Sequence, residues 1–342
     1  MSEEHKGEAL PLAEANPDHH TAGMAEPSFS LGGKTIWIAG HNGMVGDALM
    51  RRLKGEACTL LTVDRKALDL TRQAEVEAFV GEAQPDAIIV AAARVGGILA
   101  NSRDPVGFLS DNLAINLNIA RAAHQADIDR VLFLGSSCIY PKFAAQPISE
   151  EALLTGPLEP TNQWYALAKI AALKLAEAYR QQFGRNFIAA MPTNLYGPHD
   201  NFDLEGGHVL PALLRKAHEA GARGAGQFEL WGTGTARREF LHVDDCADAL
   251  VLLLRTYAGA EPVNIGYGED IALIDLARLI CRTVGFDGAI ALDPGKPDGT
   301  PRKLLDTSRL RRMGWRPKIR LEEGLAETYA WYRAQLARGV AT

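Results

Sequence analysis

Cysteine is scarce: the 342 residues hold four, Cys58, Cys138, Cys246 and Cys281, far apart and with no CxxC spacing. That excludes a disulfide framework and a zinc site, and thiols of this kind suit a reducing cytoplasm. Long apolar runs are missing too. None approaches the ~20 residues needed to cross a bilayer. Positive charge is not in excess: 36 Lys and Arg against 42 Asp and Glu give a net charge of −6, which argues against a general nucleic-acid surface and confines any bound anion to a local site. No internal repeat or linker is visible. Residues 1–30 are acidic, contain proline, have few large apolar side chains and do not resemble a signal peptide; they read as a mobile tail. The His19-His20 pair within it reads as solvated, and no metal is expected.

What the chain does have is an ordered series of strand and helix signals, long enough to bury a sizeable core. Lys34 to Gly40, KTIWIAG, reads as a strand. Gly40-His-Asn-Gly43-Met-Val-Gly46 then turns it into a helix running to about Lys54. Glycines here let the backbone approach a pyrophosphate, whose charge the amides and dipole of a helix N-terminus stabilise. The GxxGxxG spacing departs from the commoner GxGxxG, but its context fits a dinucleotide site: a strand before, a helix after, and a second strand, TLLTVD, ending in Asp64. Arg65 follows at once. The acid favours the ribose hydroxyl of NAD and the arginine the 2′-phosphate of NADP, so these residues leave the choice open. Asp69-Leu70 reads as a surface loop or as a place from which a side chain reaches an adenine.

A helix over about Gln73–Glu82, a buried strand Asp86–Ala93, the small-residue loop Arg94-Val-Gly96-Gly97 and a helix Pro105–Gln125 follow. Alternation at this pace predicts an α/β fold, a Rossmann doubly wound parallel sheet with ligands at the C-terminal ends of its strands. A fifth strand spans Asn186–Pro192. The pattern then loosens. HDNFDLEGG over 199–207 suits a loop that closes over substrate, His208 opens a helix, and short strands are expected near 227–232 and 238–243, with Asp244 capping the helix after them. Tyr329, Trp331 and Tyr332 on the last helix read as packing, and Arg302 and Lys303, in a basic stretch, as phosphate ligands or solvated charges. The expected division is the tail 1–30, a dinucleotide-binding domain 31–195 whose sheet is completed by segments around 227–265, and 196–342 as mainly a smaller α/β substrate lobe.

The chemistry concentrates between Val131 and Lys169. VLFLGSSCIYPK is a strand that delivers Ser136, Ser137 and Cys138 to a crevice, and the helix after it carries Tyr165 and Lys169 one turn apart. A phenol beside an ammonium loses its proton more readily. With a serine hydroxyl nearby, the pair can move a proton on an oxygen whose carbon undergoes hydride transfer. Tyr and Lys four apart are common by chance, and the case rests on the glycine turn and strand-end serine that accompany them.

Together GHNGMVG, AAARVGG, LGSSCIYPK, YALAK, MPTNLYGPHDNF, WGTGTARREFLHVDD and KPDGTPRKLLD resemble the extended short-chain dehydrogenase/reductases, and among them the epimerase-reductases that act on GDP-4-keto-6-deoxy-D-mannose. The resemblance runs from about Lys34 to the C-terminus. It implies an NADP-binding Rossmann domain, a small lobe for the GDP-sugar and a homodimer joined through helices of the sheet domain. It assigns Ser136, Tyr165 and Lys169 to a reductase triad acting at C4 with NADPH, and Cys138 and His208 to the base and acid of epimerisation at C3 and C5. Implied cofactor contacts fall on the turn Gly40, His41, Asn42, Gly43, Met44, Val45 and Gly46; on Arg65, Asp69 and Leu70; on Leu134, Gly135, Ser136 and Ser137; on Lys169; on Pro192, Thr193, Asn194 and Leu195; and on His208. Implied substrate contacts are Lys216, Trp231, Arg238 and Asp298. Asn42 departs from the arginine often found at its position. Lys169 and the cofactor cation are expected to assist a Cys138 thiolate. Two alternatives stand beside this reading. One is another nucleotide-sugar epimerase or dehydratase with tightly held NAD, which needs no separate carbon acid and base; the other is a non-catalytic dinucleotide-sensing protein, against which the intact Ser136, Tyr165 and Lys169 argue.

Overall fold

Each of the first four strands is short, apolar and followed by a helix, the pattern that builds a parallel sheet buried on both faces. The computed structural model describes residues 29–296 and 298–339; the expected tail, His19 and His20 included, falls almost wholly outside them. In chain order come β1 Thr35–Ala39, α1 Met44–Leu53, β2 Thr59–Leu61, α2 Gln73–Ala83, β3 Ala87–Val90, α3 Ile98–Arg103, α4 Pro105–Gln125, β4 Arg130–Leu134, α5 Gln163–Phe183 and β5 Phe187–Pro192. Next are β6 Asn194–Tyr196, α6 Val209–Ala222, β7 Gln227–Trp231, β8 Arg237–His242, α7 Val243–Thr256, β9 Val263–Ile265, β10 Asp270–Ala272, α8 Leu273–Val284, β11 Ala289–Asp293, β12 Arg302–Lys303, α9 Ser308–Arg312 and α10 Leu321–Ala337. None of the described helices is long and apolar enough to cross a membrane.

Six parallel strands pair in the order β2-β1-β3-β4-β5-β9. Alternation along β1 sends Ile36 and Ile38 into one core with Leu49, Leu53 and Leu250, and Trp37 and Ala39 into another with Val76, Val80 and Ile119. Each such aliphatic side chain, removed from water, contributes about 1.5–3 kcal/mol. Successive connections leave β1 in opposite directions, toward β2 and toward β3, so the ligand crevice of this topology opens between β1 and β3.

Of the segments around 227–265, β9 alone joins this sheet. β7 pairs with β11, and β8 lies between β10 and β12 while also pairing β6. These strands and α6, α8 and α10 share a separate core containing Leu210, Leu214, Leu276, Ile280, Phe228 and Tyr332. Two local expectations change. His242, whose Nδ1 accepts from the Asp244 amide at 3.3 Å, is the cap of α7, and Asp244 lies inside the first turn. The segment 199–207 is anchored on both sides: Phe202 is buried against Tyr332 and Trp331, and the Gly97 amide donates to the Gly206 carbonyl at 2.8 Å. The aromatics of α10 are packing, as their spacing suggests.

Candidate active site

The glycine turn lies at the crevice. Gly40 has φ +91° and sits so close to the next strand's exit that a Cβ would lie 2.6 Å from the Ala92 nitrogen; at Gly46 a Cβ would lie 2.1 Å from the Gly40 carbonyl oxygen. A side chain at either place would force strand, turn and helix apart. Gly43 caps α1 without a side chain, leaving the first-turn amides and the helix dipole open to an anion. Beside it is a cavity of about 460 Å³, lined among others by His41, Asn42, Arg65, Asp69, Leu70 and Ala92. This is the dimension and lining of the adenosine end of a dinucleotide site.

Within it the conflict between Asp64 and Arg65 resolves. The Asp64 carboxylate is engaged by Asn42, whose Nδ2 donates to it at 2.8 Å, and by His41 Nε2 at 3.5 Å. Arg65 lines the cavity and is exposed. A cation free to meet a phosphate and an acid tied into the glycine turn fit NADP. Asp69 is held below the usual carboxylate range by hydrogen bonds from the Thr71 amide and hydroxyl, and stays anionic.

Further along the crevice, β4 ends in Leu134 and a single 3-10 turn over Ser137–Ile139 brings Ser136 and Cys138 round together, with Ser136 Oγ accepting from the Cys138 amide at 3.3 Å. Ser136 also hydrogen-bonds Tyr165. The Gly135 amide donates to Ala190 and fixes the strand end, and Ser137 is buried beneath it. Lys169 is buried, donates to the Leu134 carbonyl at 2.7 Å and lies 5.8 Å from the centre of the Tyr165 ring. Burial pulls its pKa down to about 8. Tyr165 differs from expectation. Burial, and then the nearby Cys138, push the phenol up despite the Ser136 bond, so it keeps its proton. A protonated phenol is the form a reduction needs, since it must donate to the new alkoxide.

Cys138 also has a different neighbour from the expected one. Lys169 is committed to Leu134, and a cation at the sulfur is Lys303, its Nζ 3.7 Å from Sγ. His208 caps α6 with extended backbone and is exposed. The enclosing walls and then the Lys303 charge lower its pKa. Thr193 and Asn194 follow β5, and both side chains donate to the Glu239 carbonyl, at 3.4 and 2.7 Å.

The four expected substrate contacts are joined into one wall. Lys216 Nζ lies 5.2 Å and Lys296 Nζ 5.3 Å from the Trp231 ring centre. Next to Trp231, the turn at Gly232 is pinned by Asp298, whose carboxylate accepts from the Thr233 amide at 2.8 Å and hydroxyl at 2.9 Å. Arg238 donates to the Asp298 carbonyl at 3.2 Å and pairs in register with Lys303 across β8 and β12. The wall thus runs without a break from an aromatic flanked by cations to the Cys138 sulfur. Lys303 was the residue that sequence reasoning left undecided. Its signal was strand alternation: Arg302, beside it, ion-pairs with Asp270 on the opposite face.

Residues 36–266 match the NAD dependent epimerase/dehydratase family. The chain is 57% identical over 311 residues to a GDP-L-fucose synthase of Sinorhizobium fredii, covering 91% of this chain and 99% of that protein. It is 53% identical over 313 residues to GDP-L-fucose synthase 1 of Arabidopsis thaliana, covering 91% and 97%. A GDP-L-fucose synthetase from Naegleria fowleri, solved with NADP, superposes with a TM-score of 0.83 at 28% identity, over 91% of this chain and 98% of that one.

Proposed function

Because the chain belongs to the NAD dependent epimerase/dehydratase family, we propose that it makes GDP-L-fucose from GDP-4-keto-6-deoxy-D-mannose by inverting C3 and C5 and then reducing C4 on one bound sugar. It is an NADP-dependent epimerase-reductase. The observation that supports the double chemistry is the thiol beside the reductase pair: Cys138 and Ser136 share one turn, and Ser136 is the hydrogen-bond partner of Tyr165 on α5. A simple reductase has no use for the sulfur.

The C4 ketone acidifies the hydrogens on both neighbouring carbons, so one base serves twice. Cys138, as thiolate, removes each proton while Tyr165 and Ser136 hold the C4 oxygen as negative charge develops there. His208 returns a proton to the opposite face. The glycine turn, Arg65 and Lys169 hold the cofactor, which when bound supplies the hydride for C4. Tyr165 then donates its proton to the C4 oxygen, and Lys169, poised near neutrality, restores the phenol. Trp231 stacks the guanine, and Lys216 and Arg238 neutralise the diphosphate. Residues 31–195 with β9 form the cofactor domain, and most of 196–342 is the substrate lobe.

The same reading covers assembly and location. α4 and α5 expose Val106, Leu113, Leu117, Trp164 and Leu167, an apolar face suited to a second copy and thus to a homodimer. Four unpaired cysteines suit the cytoplasm. Incubation with GDP-4-keto-6-deoxy-D-mannose and NADPH in deuterated water should yield GDP-L-fucose carrying deuterium at C3 and C5. A product that keeps the D-manno configuration with no deuterium at either carbon refutes the epimerase half.

A further inference from the structure

Two inversions at one pair of groups raise a problem of proton bookkeeping. After the first, Cys138 holds the proton it removed and His208 has lost the one it gave; the second needs a thiolate and an imidazolium again. We propose that Lys303 is the carrier that resets this pair, an inference that rests on Cys138 and His208 being the epimerising base and acid.

Three observations support it. Lys303 Nζ lies 3.7 Å from Cys138 Sγ, so the ammonium stands beside the thiol that must give up its proton, and its charge is felt at His208. Among the described residues it forms no ion pair with a carboxylate that would hold its proton in place. Its backbone is also clamped. β12 pairs with β8, the Arg302 carbonyl accepts from Gln146 Nε2 at 3.1 Å, and the Leu304 and Leu305 amides donate to Gln146 Oε1 at 2.9 Å and Glu239 Oε2 at 3.1 Å. With Arg302 bound to Asp270 on one face, alternation aims Lys303 at the sulfur on the other.

The other cations of the site are unsuited to the task. Lys169 is turned to the Leu134 carbonyl. Arg238, which also feels the Cys138 charge, is a guanidinium and does not release its proton. In the reset the Lys303 ammonium gives one N–H proton to the imidazole, and the resulting amine takes the thiol proton. The net change is thiol plus imidazole to thiolate plus imidazolium, with Lys303 restored.

The test uses enzyme loaded with NADP⁺, which cannot deliver hydride, so that epimerisation stands alone. Deuterium entry at C3 and C5 of GDP-4-keto-6-deoxy-D-mannose is followed by NMR for the wild type, Lys303→Arg and Lys303→Met. The arginine keeps a charge beside the sulfur but cannot relay. It should leave exchange at the first carbon within about threefold of wild type and slow the second by about a hundredfold. Lys303→Met should slow both, and alkylation of Cys138 by iodoacetamide should be slowed in Met but not in Arg. Equal exchange at both carbons in Lys303→Arg overturns the relay, and so does equal loss at both, which would place Lys303 in the first abstraction only. If the wild type exchanges at neither carbon, the epimerase reading itself fails and Lys303 is not at issue.

Discussion

The two halves of the active site are built differently. The groups we propose for reduction, Ser136, Tyr165 and Lys169, come from one strand end and the next helix, packed on the six-stranded sheet and bonded to it through the Leu134 carbonyl. The groups we propose for inversion come from three places: Cys138 from that same turn, His208 from the mouth of α6, and Lys303 from a two-residue strand of the other lobe. One half is fixed locally. The other exists only while the two lobes stay docked, so disturbance of the lobe contact should impair inversion before reduction.

Tyr165→Phe gives the largest expected effect and the first way to break the comparison. NADPH consumption should fall by about 10³ to 10⁴, because the phenol is the group proposed to protonate the C4 oxygen, while NADPH affinity measured by fluorescence titration stays unchanged. Deuterium exchange at C3 and C5 should fall much less. If exchange and reduction fall equally, the halves are not separable.

Cys138→Ser sharpens it from the other side. Exchange at both carbons should drop by about a hundredfold or more, yet a 4-ketone already inverted at C3 and C5 should be reduced near the normal rate. Wild-type exchange in this variant would remove the sulfur from the mechanism. Arg65→Ala should act on neither half, weakening NADPH binding by about tenfold to a hundredfold with NADH binding little changed, since a hydrogen bond to a charged group is worth about 1.5–3 kcal/mol. An equal loss for both cofactors would mean that Arg65 shapes the cavity and does not read the 2′-phosphate.

The same contrast governs what the sequence made legible. Local signals sufficed where strand, turn and helix follow one another: β1 to α1, β4 to Cys138, and Tyr165 to Lys169 stand where their periodicity puts them. Long-range pairing was not legible. Nothing near residue 303 announces that its strand lies against β8 with register Lys303 to Arg238, nor that Asp270 claims Arg302 and frees its neighbour. The protonation of Tyr165 depends on surroundings that spacing does not show. Proximity of an ammonium could be inferred from spacing, but burial, which dominates here, is a property of the folded surroundings. The anchoring of 199–207 was not legible either, because Phe202 finds partners on α10, more than a hundred residues away.

The smallest expected effect lies in that anchored segment. Asp200 is buried, with one oxygen accepting from the Asn201 amide at 2.8 Å and the other without a partner among the described residues. Burial pushes its pKa up to about 7, the Asn201 bond opposing only in part. An acid whose folded value exceeds its unfolded value near 3.9 binds more protons folded than unfolded between the two. Its contribution is therefore full below about pH 4 and is lost as pH rises through about 7. Asp200→Asn retains the acceptor and removes the ionisation. Relative to wild type it should be nearly neutral in urea unfolding at pH 4 and more stable by about 1–4 kcal/mol at pH 8, three pKa units at about 1.4 kcal/mol each being the ceiling. The gain should tighten the lobe that carries His208 without altering Tyr165 or Lys169. A stability difference that does not change with pH would show that Asp200 is ionised throughout, and that the price of docking the inverting half lies elsewhere.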